Sequence, residues 1–282
     1  MADTLEDITE RSLKYSTIKS DLGEGVYYDQ ISGTLFWVDI NNNKIYSSKS
    51  SRIITYGLDK QVSAIVGFRE ENLLVICSDG VFKFNLNTKK FTKLCSIPAR
   101  YLKENFRTND GTMIDEGKFI FGIMDKNANK PGAVVISNKD EHRVVDTDIS
   151  IPNSFIVLQE NEILISDSIK NIIYKYNFSK EWTSLIKRSV WADFSSKQYV
   201  PDGGCIILDN RIFIAIWDGH KIIELDINGT IIDEITLPVP RPTSCVYDKN
   251  KKHLYVSSAR EGLTTKDLEV YPLSGSILEV QL

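Results

Sequence analysis

Short apolar runs, each following a polar turn, recur along the chain. They are Leu35-Phe36-Trp37-Val38, Leu73-Leu74-Val75-Ile76, Phe119-Ile120-Phe121, Ile163-Leu164-Ile165, Ile212-Phe213-Ile214-Ala215-Ile216 and Leu254-Tyr255-Val256. The turns before them include Ser32-Gly33, Glu71-Asn72, Glu116-Gly117, Glu160-Asn161, Asp209-Asn210 and Asn250-Lys251. Short runs rich in β-branched and aromatic residues, punctuated in this way, predict strands. A second alternating run follows most of them, as in Gly80-Val81-Phe82-Lys83-Phe84 and Asn171-Ile172-Ile173-Tyr174-Lys175-Tyr176. Only Arg100 to Phe106 and Thr264 to Glu269 suggest helices, and both are short. The chain reads as all-β.

The strands recur as a unit. Taking the strand before each apolar run as a start places Glu24, Ser63, Asn109, Asn153, Asp202 and Ser244 at the heads of six repeats. Successive starts lie 39, 46, 44, 49 and 42 residues apart. Six units of that size with about four strands each predict a six-bladed β-propeller, 1–282 as a single domain with 1–11 as a flexible lead. A β-sandwich of about 100 residues would have to occur nearly three times over. The last repeat has room for three strands, Cys245 to Asp248, His253 to Ser257 and Gly275 to Val280. The alternating run Ser12 to Ile18 is therefore expected to complete that blade and close the ring, removing an unpaired edge.

Composition narrows the function classes. The chain has 282 residues and a formal net charge of −4 from 34 basic and 38 acidic residues. This balance argues against a nucleic-acid partner, which calls for a basic surface. No apolar run reaches the length of a membrane span, and Met1 to Ser20 lacks the regions of a signal peptide, so the expectation is a cytoplasmic protein without a membrane partner. The four cysteines, Cys77, Cys95, Cys205 and Cys245, form no CxxC pair and read as free buried thiols.

The repeat-initial residues are all oxygen-bearing and polar. If the first strand of each blade lines a central channel, two carboxylates and an amide converge there, at a cost unless a positive charge sits among them. A hard divalent cation suits such donors: Ca²⁺, Mg²⁺ or Mn²⁺, with Zn²⁺ tolerated. Asp79-Gly80, Asp110-Gly111, Asp202-Gly203 and Asp218-Gly219 are equally good turn signals one by one. The shared position of the six repeat-initial residues favours the channel.

Several segments carry a family resemblance. Leu22-Gly23-Glu24-Gly25, Arg107-Thr108-Asn109-Asp110-Gly111 and Ile151-Pro152-Asn153-Ser154 are among them, with Ile165-Ser166-Asp167-Ser168, Pro201-Asp202-Gly203 and Leu254 to Arg260 further on. In order and spacing they resemble the senescence-marker-protein/gluconolactonase/luciferin-regenerating-enzyme family, the regucalcin-like sugar lactonases. The resemblance runs from about residue 20 to the end. It implies a propeller that holds one divalent metal ion and hydrolyses lactones. Carried over by motif, Glu24, Asn153 and Asp202 are the metal ligands, and Asp202 is also the general base. Arg107 and Asn109 match the positions that bind substrate. A carboxylate on a dication is a weak base, so Asp202 would bind through one oxygen and use the other on water.

The sequence departs from the family pattern at four points: Ser154 replaces a Gly, Ile123 a Thr, Gly25-Val26 a Gly-Pro, and Gly204 a larger apolar residue. Ile123, Gly204 and the region from Asp125 to Pro131 are expected to reshape the pocket wall. Other chemistries are poorly supported. There is no GxSxG, Walker A loop or HExxH, and His142, His220 and His253 are scattered. The expectation is a metal-dependent lactonase acting on a small aldonolactone, as a monomer or weak homo-oligomer. The alternative is a calcium- or ligand-binding propeller without catalysis.

Overall fold

Six four-stranded antiparallel sheets make up the chain, in a computed structural model describing residues 14–50, 52–103, 105–139, 141–159 and 161–282. The first blade is β2 (Gly23–Asp29), β3 (Thr34–Asp39), β4 (Lys44–Lys49) and β5 (Arg52–Gly57). The second is β6 (Val62–Arg69), β7 (Asn72–Cys77), β8 (Gly80–Asn85) and β9 (Phe91–Ser96). The third is β10 (Phe106–Asp115), β11 (Lys118–Asp125), β12 (Ala133–Asn138) and β13 (Glu141–Asp146). The fourth is β14 (Pro152–Gln159), β15 (Glu162–Asp167), β16 (Ile172–Phe178) and β17 (Leu185–Asp193). The fifth is β18 (Val200–Ile206), β19 (Ile212–Trp217), β20 (Lys221–Leu225) and β21 (Ile231–Thr236).

The sixth blade is assembled from both ends of the described chain. Its order is β22 (Pro242–Asp248), β23 (His253–Ser258), β24 (Leu278–Gln281) and then β1 (Lys14–Tyr15). The expected closure by an N-terminal strand is present, as Lys14 pairs with Glu279 and Tyr15 with Leu278. The strand is shorter than the run from Ser12 to Ile18 implies; Ser12, Leu13 and the lead at 1–11 lie outside the described residues. The inner strands touch in sequence, from β2 to β6, β10, β14, β18 and β22, and β22 returns to β2. The architecture is a six-bladed β-propeller.

Apolar side chains fill each space between blades. One layer holds Phe36, Val38 and Ile45 against Leu73 and Val75 of the next blade. Equivalent layers pack Ile76 on Phe121, Ile120 on Ile163, Leu164 on Ile214, and Phe213 on Leu254. The sixth places Trp37 and Tyr28 near Tyr255 and Ile277. Burying such a side chain stabilises the fold by about 1.5–3 kcal/mol, so the core is a ring of layers rather than one centre. Trp37 belongs to it, stacked on Tyr46 at 5.1 Å.

One helical expectation holds and the other contracts. Thr265–Val270 forms α1, with Thr264 and Asp267 making a reciprocal capping box. Arg100 to Phe106 is not a helix: only Ala99–Tyr101 turns as a 3₁₀ helix, and Phe106 opens β10. Tyr101 packs into the core beside Phe106, 5.3 Å away, and this tertiary contact outweighs local helix propensity.

Candidate metal and substrate site in the channel

Every inner strand departs from regular pairing near the same end. The irregularities fall between Glu24 and Tyr27, Val62 and Ala64, Thr108 and Gly111, Asn153 and Ile156, Pro201 and Gly204, and Pro242 and Ser244. A bulge re-aims the side chains beside it. Here it repeats six times at the predicted channel positions. Asp110-Gly111 and Asp202-Gly203 therefore lie within strands, whereas Asp79-Gly80 and Asp218-Gly219 join or flank strand ends.

Glycine is needed where these bulges bring neighbouring blades together. Gly25 has φ +52°, and a Cβ there would lie 2.9 Å from Ala64 Cα. A Cβ on Gly203 would come within 2.5 Å of Ser244 Oγ and 2.9 Å of the Thr243 carbonyl. Small residues thus let blade edges close around Glu24 and Asp202.

Two buried aspartates anchor the segments leading into the site. Asp39 accepts hydrogen bonds from the amides of Asp21 (2.9 Å), Leu22 (3.3 Å) and Asn42 (3.3 Å). Asp167 accepts from the amides of Ser150 (2.9 Å) and Ile151 (3.4 Å). They end the second strands of their blades and hold the chain just before Glu24 and Asn153. Buried carboxylates are stable in such places only because amide donors satisfy them.

A hydrogen-bonded line crosses three blades. Arg107 Nη1 donates to Asn109 Oδ1 at 2.7 Å, and Asn109 Nδ2 donates to Asn153 Oδ1 at 2.6 Å. Asn153 Nδ2 then donates to Ser168 Oγ at 3.0 Å, and Ser168 donates to the Pro201 carbonyl at 2.7 Å. Asn109 Nδ2 also donates to the Pro152 carbonyl at 3.1 Å. Both amide hydrogens of Asn109 are thus committed, and its oxygen keeps one lone pair. The line orients Asn153 and leaves its oxygen a second lone pair for a further partner.

Ser154 follows Asn153 with φ 53° and donates its hydroxyl to the Asp202 carbonyl, coupling the fourth and fifth blades. Left-handed backbone costs a non-glycine residue about 1–2 kcal/mol, and the buried hydrogen bond returns a similar amount. Ser154→Ala, which keeps the strain and loses the bond, is expected to destabilise the protein by about 1–2 kcal/mol in urea unfolding. Ser154→Gly is expected to cost less than the alanine variant. The reverse order would show that the left-handed backbone at this position carries no such cost.

The charges are unbalanced. Asp110 acts on Glu24, both act on Asp202, and Arg107 opposes Glu24 and Asp202. Burial first, then Asp110, pushes the Glu24 carboxyl up to about 8, against the Gly25 amide and Arg107. Burial, then Glu24 and Asp110, holds the Asp202 carboxyl well above the usual carboxylate range. Asp110 rises to about 6 through burial, offset by the amides of Gly111, Phe155 and Ser154. Burial depresses Arg107, against the pull of Glu24, Glu261 and Asp202.

Four of the six repeat-initial residues, Glu24, Asn109, Asn153 and Asp202, are therefore drawn together with Arg107. The other two join blades instead. Ser63 Oγ lies 3.0 Å from Thr108 Oγ1, and Ser244 faces Gly203. Two expected wall residues are corrected: Ile123 is fully buried in the apolar layer between the second and third blades, and Gly204 faces Phe213, Ile214 and Ile156. Strand alternation turns both away from the channel. Asp125, also buried, accepts from the amides of Asn129 and Lys130, ordering the loop after β11.

Two acids escaped sequence reasoning. Asp110 was hidden by its Asp-Gly pair, which also suits a turn; Glu261 follows directly on the last recognised segment. Among the described residues, no three His, Cys, Asp or Glu side chains form a metal-sized cluster. The candidate set differs in kind, joining two carboxylates to an amide oxygen. A separate cleft of about 760 Å³, lined by Tyr28, Trp37, Lys251 and Tyr255 among others, contains none of these residues.

Comparison with known proteins agrees with this architecture. Residues 22–260 match the family model described as the SMP-30/Gluconolactonase/LRE-like region. Human regucalcin is 24% identical over 270 residues, covering 92% of this chain and 90% of its own. The structure of a calcium-binding protein, regucalcin, from Agrobacterium tumefaciens aligns with a TM-score of 0.87 at 24% identity, covering 93% and 90%. A gluconolactonase from Xanthomonas campestris aligns with a TM-score of 0.75 at 13% identity, covering 99% and 93%. The propeller, the order of its motifs and a match over most of its length make this chain a member of the SMP-30/gluconolactonase/LRE-like family.

Proposed function

We propose that the protein is a divalent-metal-dependent lactonase that opens a sugar-type lactone to its acid. The observation that carries this reading is the excess of carboxylate gathered at the channel: buried Asp202 with half-buried Glu24 and Asp110, against the guanidinium of half-buried Arg107. Ionised together, these groups sum to −2, which one dication balances. The donor set fits the ion, since Glu24 and Asp202 offer carboxylate oxygens and Asn153 an amide oxygen with a free lone pair. When bound, the ion supplies Lewis-acid polarisation of the lactone carbonyl.

The chain's own residues do the rest. Asp202 accepts a proton from water as the water oxygen attacks the carbonyl carbon, and returns it to the ring oxygen as the carbon–oxygen bond breaks. Arg107, held by Asn109, aims positive charge at the oxygen that becomes negative. Asn109, with its donors committed, positions Arg107 and Asn153 and offers a substrate hydroxyl only its remaining lone pair. The substrate is a small molecule, and no helix among the described residues is long and apolar enough to cross a membrane.

A panel of aldonolactones, assayed after chelation and again with Ca²⁺, Mg²⁺, Mn²⁺ or Zn²⁺, tests the reading. Chelated protein is expected to be inactive, and at least one ion to restore turnover of at least one lactone. Tight metal binding with no turnover of any lactone would favour a binding protein without catalysis.

A further inference from the structure

The link between β23 and β24 spans residues 259–277 and brings Glu261 beside Asp21 and Asn41, at the end of the first blade where the chain enters Glu24. Its backbone is fixed at two points, Asp21 and Arg241. The amides of Arg260 and Glu261 donate to the Asp21 carbonyl at 2.7 and 2.9 Å, and Arg241 donates to the Glu261 carbonyl. Arg241 is itself held by Asp218 at 2.6 Å and lies over the Trp217 ring, 4.9 Å from its centre. Gly262 has φ +68°, and a Cβ there would come within 2.6 Å of Arg241 Nη1. The turn that presents Glu261 is thus built tightly.

The side chain is ordered as well. Asn41 Nδ2 donates to Glu261 Oε1 at 3.0 Å and to Asp21 Oδ2 at 2.7 Å. No described residue is recorded donating to Oε2. Glu261 is exposed, its amide is bonded to the Asp21 carbonyl three residues before Glu24, and its charge acts on both Glu24 and Arg107. A carboxylate only accepts hydrogen bonds, so the ligand group that meets it must be a donor. A lactone offers donors only at hydroxyl substituents away from the reacting carbonyl.

We propose that Glu261 is a specificity-determining residue, accepting a hydrogen bond from a distal substrate hydroxyl, so that the site selects polyhydroxylated lactones over unsubstituted ones. This rests on the lactonase reading. Asn41 and Arg241 are positioning residues, setting the carboxylate at the rim before substrate arrives, which lowers the cost of ordering it.

The experiment compares glucono-δ-lactone with δ-valerolactone in metal-loaded wild type, Glu261→Ala and Glu261→Gln. Loss of one hydrogen bond at a partly solvated rim corresponds to about tenfold. Glu261→Ala is expected to lower kcat/KM for the hydroxylated lactone by about that factor, mainly through KM, with δ-valerolactone changed less than about twofold. Glu261→Gln, which keeps an acceptor oxygen, should recover part of the loss. Equal loss on both lactones, or none on either, overturns the proposal.

Calorimetry with glucitol, which cannot be hydrolysed, separates this proposal from the lactonase reading. Glu261→Ala should bind glucitol about tenfold more weakly than wild type, even if no lactone is turned over. Equal affinity, or no binding to wild type, overturns the assignment of Glu261. Turnover that is absent alongside Glu261-dependent glucitol binding overturns the lactonase reading alone.

Discussion

Asp202→Asn is expected to lower kcat for lactone opening by about 10²–10⁴, the range for loss of a positioned general base. The amide keeps an oxygen near the ion but cannot accept the proton from water. Metal affinity should fall too, because one of two carboxylate donors loses its charge. Stability should move the other way. Asp202 is buried beside Glu24 and Asp110, whose charges add to burial in pressing it toward the protonated form. Replacing one with a neutral amide relieves that repulsion, so the metal-free variant should melt above metal-free wild type at pH 8. Lower activity with higher metal-free Tm separates loss of chemistry from misfolding. Wild-type turnover together with wild-type metal affinity would falsify the assignment of Asp202.

Metal-free protein should lose stability as pH rises from about 5 to 8. Free carboxyls in an unfolded chain titrate near 4. In the folded chain Glu24 is pushed up to about 8, Asp110 to about 6, and Asp202 well above the usual range. The folded state therefore holds more protons than the unfolded state across this window. Their contribution is complete below the unfolded values and is lost as pH climbs through the folded ones. The expected fall in Tm is roughly 5–10 °C for a chain of this size.

Two other groups do not reverse that trend. Burial depresses His220, which adds a small opposite slope from one half-buried imidazole. Asp148, held low mainly by its hydrogen bond from Lys170, acts only below the window. A divalent ion binds the ionised folded site, and at a hundredfold excess over Kd it adds about 2.7 kcal/mol. Melting curves at pH 5 and 8, with chelator and with excess Ca²⁺ or Mg²⁺, read both effects. A metal-free Tm that is flat or rising, with no response to any ion, would remove the carboxylate cluster from the account.

Much of the fold is legible in the sequence for a physical reason. Strand runs such as Leu73 to Ile76 and Ile212 to Ile216 are buried on both faces between blades, so they read as short continuous apolar segments. Repetition of that unit implied the ring, and the orphan alternating run near Ser12 implied its closure. Four channel residues were legible because each heads its repeat. Ser63 and Ser244 head theirs equally well, yet the Ser63 hydroxyl bonds to Thr108 of the next blade and Ser244 packs against Gly203, so neither adds a donor to the carboxylate group.

The sequence by itself determined the all-β class, the sixfold repeat, the closure and the residue types at the channel mouth. These are local patterns of period and position, and strand pairing between neighbours preserves them. Only the tertiary structure decided which polar heads meet one another. It turned Asp110 from a turn residue into a third carboxylate of the channel group and buried Ile123 between blades. It also carried Glu261 from a long final link back to the first blade. Those outcomes depend on bulge geometry and on contacts between residues some 40 to 220 positions apart, which no local pattern encodes.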